Sequence, residues 1–125
     1  MKENVNELID LLRYRENSDS NIQGSAIISI QGLPLCSTLS KKVNHELISA
    51  IGASIISISN YAVKELSRGT LKRILIEGVD GQIILSKAGK NTILCTLLMK
   101  NISLEEAFRH FNNELPRIND FAYIE

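Results

Sequence analysis

The stretch VNHELISAIGASIISISNYAVKELS, residues 43–67, decides the fold. Its middle, Ser54-Ile55-Ile56-Ser57-Ile58-Ser59, has the β-branched residues and partial alternation of a strand. The whole stretch is far longer than an ordinary strand, lacks proline and holds one glycine, Gly52. Leu47, Ile51, Ile55, Ile58, Ala62 and Leu66 recur at +4, +4, +3, +4, +4, a helical stripe over six positions. Ser40 or Asn44 is placed to cap its start, and Gly69 stands where a C-terminal glycine belongs. The spacing predicts a helix.

On a wheel of about 100° per residue that helix has three rows. The main stripe is wide enough to pack on the chain's own sheet. Beside it stand Ile48, Gly52, Ile56, Ser59 and Val63, where Gly52 would let a second backbone come close. The third row is Glu46, Ser49, Ala53, Ser57, Asn60 and Lys64, polar but short-chained. Apolar residues on nearly half the circumference require two packing partners. Another element of the same chain or a second subunit would serve.

Outward from the helix, Val5, Leu8, Ile9 and Leu12 mark an amphipathic first helix over residues 3–16. Strands are predicted over 25–30 and 35–39, joined by the turn Gln31-Gly32-Leu33-Pro34. Three more follow, 71–79, 82–88 and 92–99, with Asp80-Gly81 and Gly89-Lys90-Asn91 as hairpin signals. Ser103-Leu104-Glu105-Glu106 is a capping box opening a third helix, with Leu104, Ala107, Phe108, Phe111 and Leu115 on its apolar side and Pro116 ending it. The order is α-β-β-α-β-β-β-α. Short connections make the sheet largely antiparallel, and helices on both faces give a three-layer α/β sandwich. The predicted division is one domain over 1–115 and a tail over 116–125. Leu71, Arg73, Leu75 and Glu77 begin directly after the long helix. As an edge strand they would be open to pairing with a second copy, which favours self-association over internal cover.

Composition narrows the function. With 125 residues there is room for one compact domain. Fourteen basic residues balance fourteen acidic ones, so no charge footprint for nucleic acid or an anionic membrane surface is present. No run of about 18 apolar residues predicts a membrane span, and Met1-Lys2-Glu3-Asn4 does not open a signal peptide; the cytoplasm is the expected compartment. Cys36 and Cys95 have no metal-ligand or CxxC spacing and read as buried free thiols.

The residues resemble the roadblock / dynein light chain domain family. The resemblance runs through Gly24-Ser25-Ala26-Ile27-Ile28-Ser29, Gly32-Leu33-Pro34-Leu35, Ser49-Ala50-Ile51-Gly52-Ala53-Ser54, Gly78 to Leu85 and Ala88-Gly89-Lys90-Asn91-Thr92-Ile93-Leu94, roughly residues 5–115. Gln31 departs from it, since many members carry an acid before that glycine. The resemblance implies the roadblock sandwich (of profilin-like or longin-like kind) with strand order 2-1-5-4-3, the long helix on one face and the terminal helices on the other. It implies a homodimer, or a heterodimer with a paralogous roadblock protein, joined through the third strand and second helix. Carried onto this chain, that interface takes Ile48, Gly52, Ile56, Ser59, Val63, Leu71, Arg73, Leu75 and Glu77. It further implies a platform for a small Ras-like GTPase on the surface of the paired second helices, here Glu46, Ser49, Ala53, Ser57, Asn60 and Lys64. A light chain or structural adaptor in a motor or cytoskeletal assembly is the alternative. A profilin-like or ligand-sensing module comes third, disfavoured by the scarcity of aromatic residues.

Catalytic patterns are weak. Gly89-Lys90 lacks the upstream glycine and following hydroxyl of a phosphate loop. His45 and His110 have no second ligand at metal spacing, and Glu105-Glu106 suits a helix start. Arg68 and Arg73, the candidates for an inserted arginine, fit a helix C-terminus and an edge strand instead. The sequence predicts a non-enzyme with no cofactor and no metal.

Overall fold

The computed structural model describes residues 2–108. Its elements are α1 (Lys2–Ser18), β1 (Ile22–Ser29), β2 (Pro34–Ser37), α2 (His45–Glu65), β3 (Arg73–Gly78), β4 (Gly81–Lys87), β5 (Thr92–Leu98) and α3 (Leu104–Ala107). The third helix's expected Phe111 and Leu115, its stop at Pro116 and the 116–125 tail fall outside the described residues.

The deciding stretch is helical, and its serines show how. Ser49 and Ser54 turn their hydroxyls back to donate to the carbonyls of His45 and Ala50, at 2.7 and 2.8 Å. Ser54, which opens the strand-like run, thus satisfies its hydroxyl within the helix. Asn44 caps the start, its side-chain oxygen accepting the Leu47 N–H at 3.1 Å. The end differs from expectation. Arg68 N–H donates to the Val63 carbonyl at 2.7 Å and Ser67 N–H to that of Lys64 at 3.1 Å. This is a Schellman closure whose left-handed residue is Ser67, φ 55°, ahead of Gly69.

The sheet is antiparallel throughout, in the order β2-β1-β5-β4-β3. Alternation along each strand divides its side chains between two layers. Ile27 and Leu94 pack with Leu8, Leu11 and Leu12 of α1, and Ile84 and Leu98 with Ala107 of α3. Ala26, Ile28, Leu85, Ile93 and Cys95 pack with Ile56 of α2 on the other side. The three layers are therefore α1 and α3, sheet, α2. Cys36 joins the α1 layer and Cys95 the α2 layer, so the two free thiols lie on opposite faces.

The inward face of α1 keeps Leu8 and Leu12 of the expected stripe, with Val5 packed beside them, and is rotated toward Leu11 and Arg15. Leu8, Leu11, Leu12 and Arg15 are buried, while Val5 and Ile9 are only partly so. Arg15, 3% exposed, donates to Ser25 Oγ and Thr96 Oγ1, both at 3.3 Å. An arginine does not register as a core residue in an apolar count, yet here the sheet offers hydroxyls to meet it. At α3, Ser103 Oγ accepts the Glu106 N–H at 3.2 Å, one half of the expected capping box.

Candidate partner interface on the second helix

Burial along α2 reorders the three rows. Ser49, Gly52 and Ile56 are buried against the sheet, with His45, Ser59, Asn60 and Val63 partly covered beside them. A Cβ at Gly52 would come within 2.6 Å of Ile28 Cδ1, so the glycine brings the helix down onto its own sheet. Gly52 and Ile56 are thus inward residues of their own subunit, contrary to their expected place in the dimer contact. Ile48, Ser59 and Val63 flank them, half-buried.

The row expected to meet the sheet is the outer one. Leu47, Ile51, Ile58 and Leu66 are between 45 and 70% exposed, and Ala62 is exposed with them. Ile55 alone of that row reaches the α2-side core. The physical reason lies in Gly52. The apolar count favoured the row with the largest side chains, but packing density favours the row whose small residues allow closest approach. Over an 18-residue window the mean hydropathy of α2 is 1.3, within the range of a membrane-crossing helix, and 22% of that window is buried. Its excess apolarity faces outward.

The short polar row is divided. Ser49 is buried, Ala53 and Asn60 are partly covered, and Glu46, Ser57 and Lys64 are exposed. Ala53, Ser57 and Asn60 line hollows beside the β1–β2 turn. That turn is fixed by three bonds: Gly32 N–H to the Ser29 carbonyl and Leu33 N–H to Ser29 Oγ, both 3.0 Å, and Ser29 N–H to the Leu33 carbonyl at 2.9 Å. Gly32 takes φ +94°, and a Cβ there would sit 3.4 Å from Ala50 Cα. The turn is thereby packed against α2.

β3 is an edge strand, as the family resemblance implies, pairing with β4 alone. Ile74 and Ile76 face the α2 layer and are half-buried. Leu75 joins the other layer, and the Arg73 guanidinium lies 4.2 Å from the centre of the Phe108 ring. Leu71, just ahead of the strand, packs on the α2-side core, and Glu77 is exposed. The thiols are chemically quiet: burial pushes Cys36 up to about 12 and Cys95 to about 11. Among the described residues no three His, Cys, Asp or Glu side chains converge as metal ligands.

A long helix on one face, the order 2-1-5-4-3 and an open third strand define a specific domain type. The model of the Roadblock/LC7 domain matches residues 8–98. The chain belongs to the Roadblock/LC7 family. An uncharacterized Methanocaldococcus jannaschii protein is 28% identical over 87 residues, 70% of this chain and 76% of the relative. Among solved structures, an MglB in a tetrameric arrangement superposes with a TM-score of 0.81 at 12% identity, covering 95% of this roadblock chain and 90% of the other. The gliding protein MglB of Thermus thermophilus gives 0.76 at 14%, covering 94 and 91%. At such identities these two likenesses speak for the fold.

Proposed function

We propose that this roadblock chain forms a twofold dimer through β3 and the outer row of α2, and that the dimer is a non-catalytic platform for a small Ras-like GTPase. The observation that carries the dimer is an apolar outer row on α2 in a chain whose sheet also ends in an open β3 edge. Exposed apolar surface of that kind marks an interaction site.

The residues supply a register for self-pairing. The spacing of Leu47, Ile51, Ile55, Ile58, Ala62 and Leu66 reads the same in both directions. An antiparallel copy would set Leu47 against the partner's Leu66, Ile51 against the partner's Ala62, and Ile55 against the partner's Ile58. β3 behaves alike about Leu75: Ile74 would face the partner's Ile76, and Arg73 the partner's Glu77. The GTPase reading is supported by family membership and by the flank of α2 that the dimer leaves open, where Ala53, Ser57, Asn60 and Lys64 stand.

Light scattering tests the dimer; a monomeric mass at micromolar concentration overturns it. For the platform, Ras-like GTPases encoded beside this gene are assayed in GDP and GTP-analogue states for binding, hydrolysis and nucleotide release. Binding that prefers one state is expected, because a regulator without bond-making groups acts by differential affinity. Equal affinity for both states would instead favour the structural adaptor, and no binding in any state sinks the platform.

A further inference from the structure

The β1–β2 turn and the flank of α2 enclose a groove of about 430 Å³. A second hollow of about 180 Å³ adjoins it near the end of β4. Ile30, 39% exposed, and Ala53 form an apolar floor; Gln31 and Gly32 make one wall, Ala50 and Ser57 the other. Ile58 stands on the ridge between this groove and the outer row of α2. The packing of Gly32 against Ala50 sets the width by backbone contact rather than by mobile side chains.

Charge is distributed unevenly along this groove. None of the described residues that line it is acidic. Asn60 and Lys87 close its far end, and Lys64 continues the α2 row one turn beyond Asn60. Lys90 stands in the β4–β5 turn, which is tied to the groove floor by the Ile30 N–H bond to the Asn91 carbonyl at 3.0 Å. Glu46 begins the row at the opposite end. Gln31, where a carboxylate would place a negative charge at the mouth, is neutral.

We propose that this groove seats an acidic peptide segment of the partner GTPase, an aliphatic side chain over Ile30 and Ala53 and the following carboxylates toward Lys87, Lys64 and Lys90. The partner's identity rests on the platform reading above; the chemistry of the segment rests on the groove alone.

The probes are two capped tripeptides, Leu-Asp-Glu and Leu-Lys-Lys, titrated into the full ¹⁵N-labelled chain. Saturable shifts of the Gly32, Ala53 and Ser57 amides are expected with the acidic peptide, at least about tenfold weaker with the basic one. Ser57→Trp, at an exposed position, should fill the groove and abolish the shifts. Lys87→Glu should weaken binding about tenfold, the scale of reversing a partly screened charge pair. Equal response to both peptides, shifts confined to other surfaces, or no saturation overturns the assignment. Acidic-peptide binding without any GTPase binding would overturn the platform and leave the groove. A GTPase whose affinity ignores both Ser57→Trp and Lys87→Glu would overturn the groove and leave the platform.

Discussion

The two faces of the sheet are built the opposite way round from a simple inside-outside rule. The face under α1 carries Ser25, Ser29, Gln82, Ser86, Thr92 and Thr96, and all of them are buried, with Arg15 among them. The face under α2 carries Ile28, Ile74, Ile76, Ile83, Leu85 and Leu97, of which four are only half-buried. Polar groups are closed in where hydrogen bonds meet most of them, and aliphatic groups are left partly open. A lone chain gains nothing from that arrangement, since exposed apolar area forfeits roughly 25 cal/mol per Å². It becomes economical when another surface covers the α2 side.

The largest test sets an inward against an outward isoleucine of the same helix. Ile56→Ala removes a 3%-exposed side chain from the α2-side core and should cost about 2–5 kcal/mol in chemical denaturation. Ile58→Asp, at a 70%-exposed position, should leave the monomer's fold intact by circular dichroism. It should weaken the dimer on the order of a hundredfold in sedimentation, about 2.7 kcal/mol. A dimer unmoved by Ile58→Asp would show that the open side serves something other than self-pairing.

The β3 register is tested by charge. Arg73→Glu or Glu77→Arg alone would set like charges opposite each other across the twofold, weakening the dimer by about 1 kcal/mol per pair. Mixing the two single variants should restore pairing as a heterodimer, because each then offers the charge the other needs. Failure of the mixture to recover, measured by native mass spectrometry, would place the edge contact in another register.

The helix over 43–67 and the hairpins were legible because periodicity and turn residues report local structure directly, whereas the strand order and the edge position of β3 came through the family resemblance. Which row of α2 points inward was not legible. Leu47, Ile51 and Ile58 outweigh Ser49, Gly52 and Ile56 on any apolar scale, and the deciding quantity is the closeness of backbone approach at Gly52. That quantity belongs to the packed sheet, with Ile28 beneath it, rather than to the helix. Arg15 was hidden for the same reason: its partners Ser25 and Thr96 come from two other strands. A glycine aligned with small residues on one helical row, Gly52 with Ser49 and Ser59, is the signal that would have found the inward face.

On the closed side, smaller effects are expected. Ser86 Oγ, Thr92 Oγ1 and Gln82 Oε1 are buried with no hydrogen-bond partner among the described residues. Replacing Thr92 by Val keeps its shape and removes an unsatisfied hydroxyl, so stability should stay level or rise by about 1 kcal/mol. Ser25→Ala on the same face should lose a comparable amount, because it deprives Arg15 of an acceptor. Equal losses from both would mean that the Thr92 hydroxyl is satisfied after all.

The smallest effect compares the faces through their thiols. Burial raises Cys36 from 9.0 to about 12, a backbone hydrogen bond with Ile27 partly opposing it, and raises Cys95 from 9.0 to about 11. Each folded thiol holds its proton more tightly than the unfolded one. Their contribution is therefore fully present below pH about 9 and is lost as pH rises through 11 for Cys95 and 12 for Cys36. The comparison is made between variants, which isolates each thiol's share. Cys36→Ala and Cys95→Ala should each flatten the decline of unfolding free energy above pH 9, with the Cys95 difference levelling off first. If dimer formation buries the α2 side further, the Cys95 profile of the dimer should lie above the single-chain value of about 11 and return to it on dilution, with that of Cys36, on the closed face, unmoved.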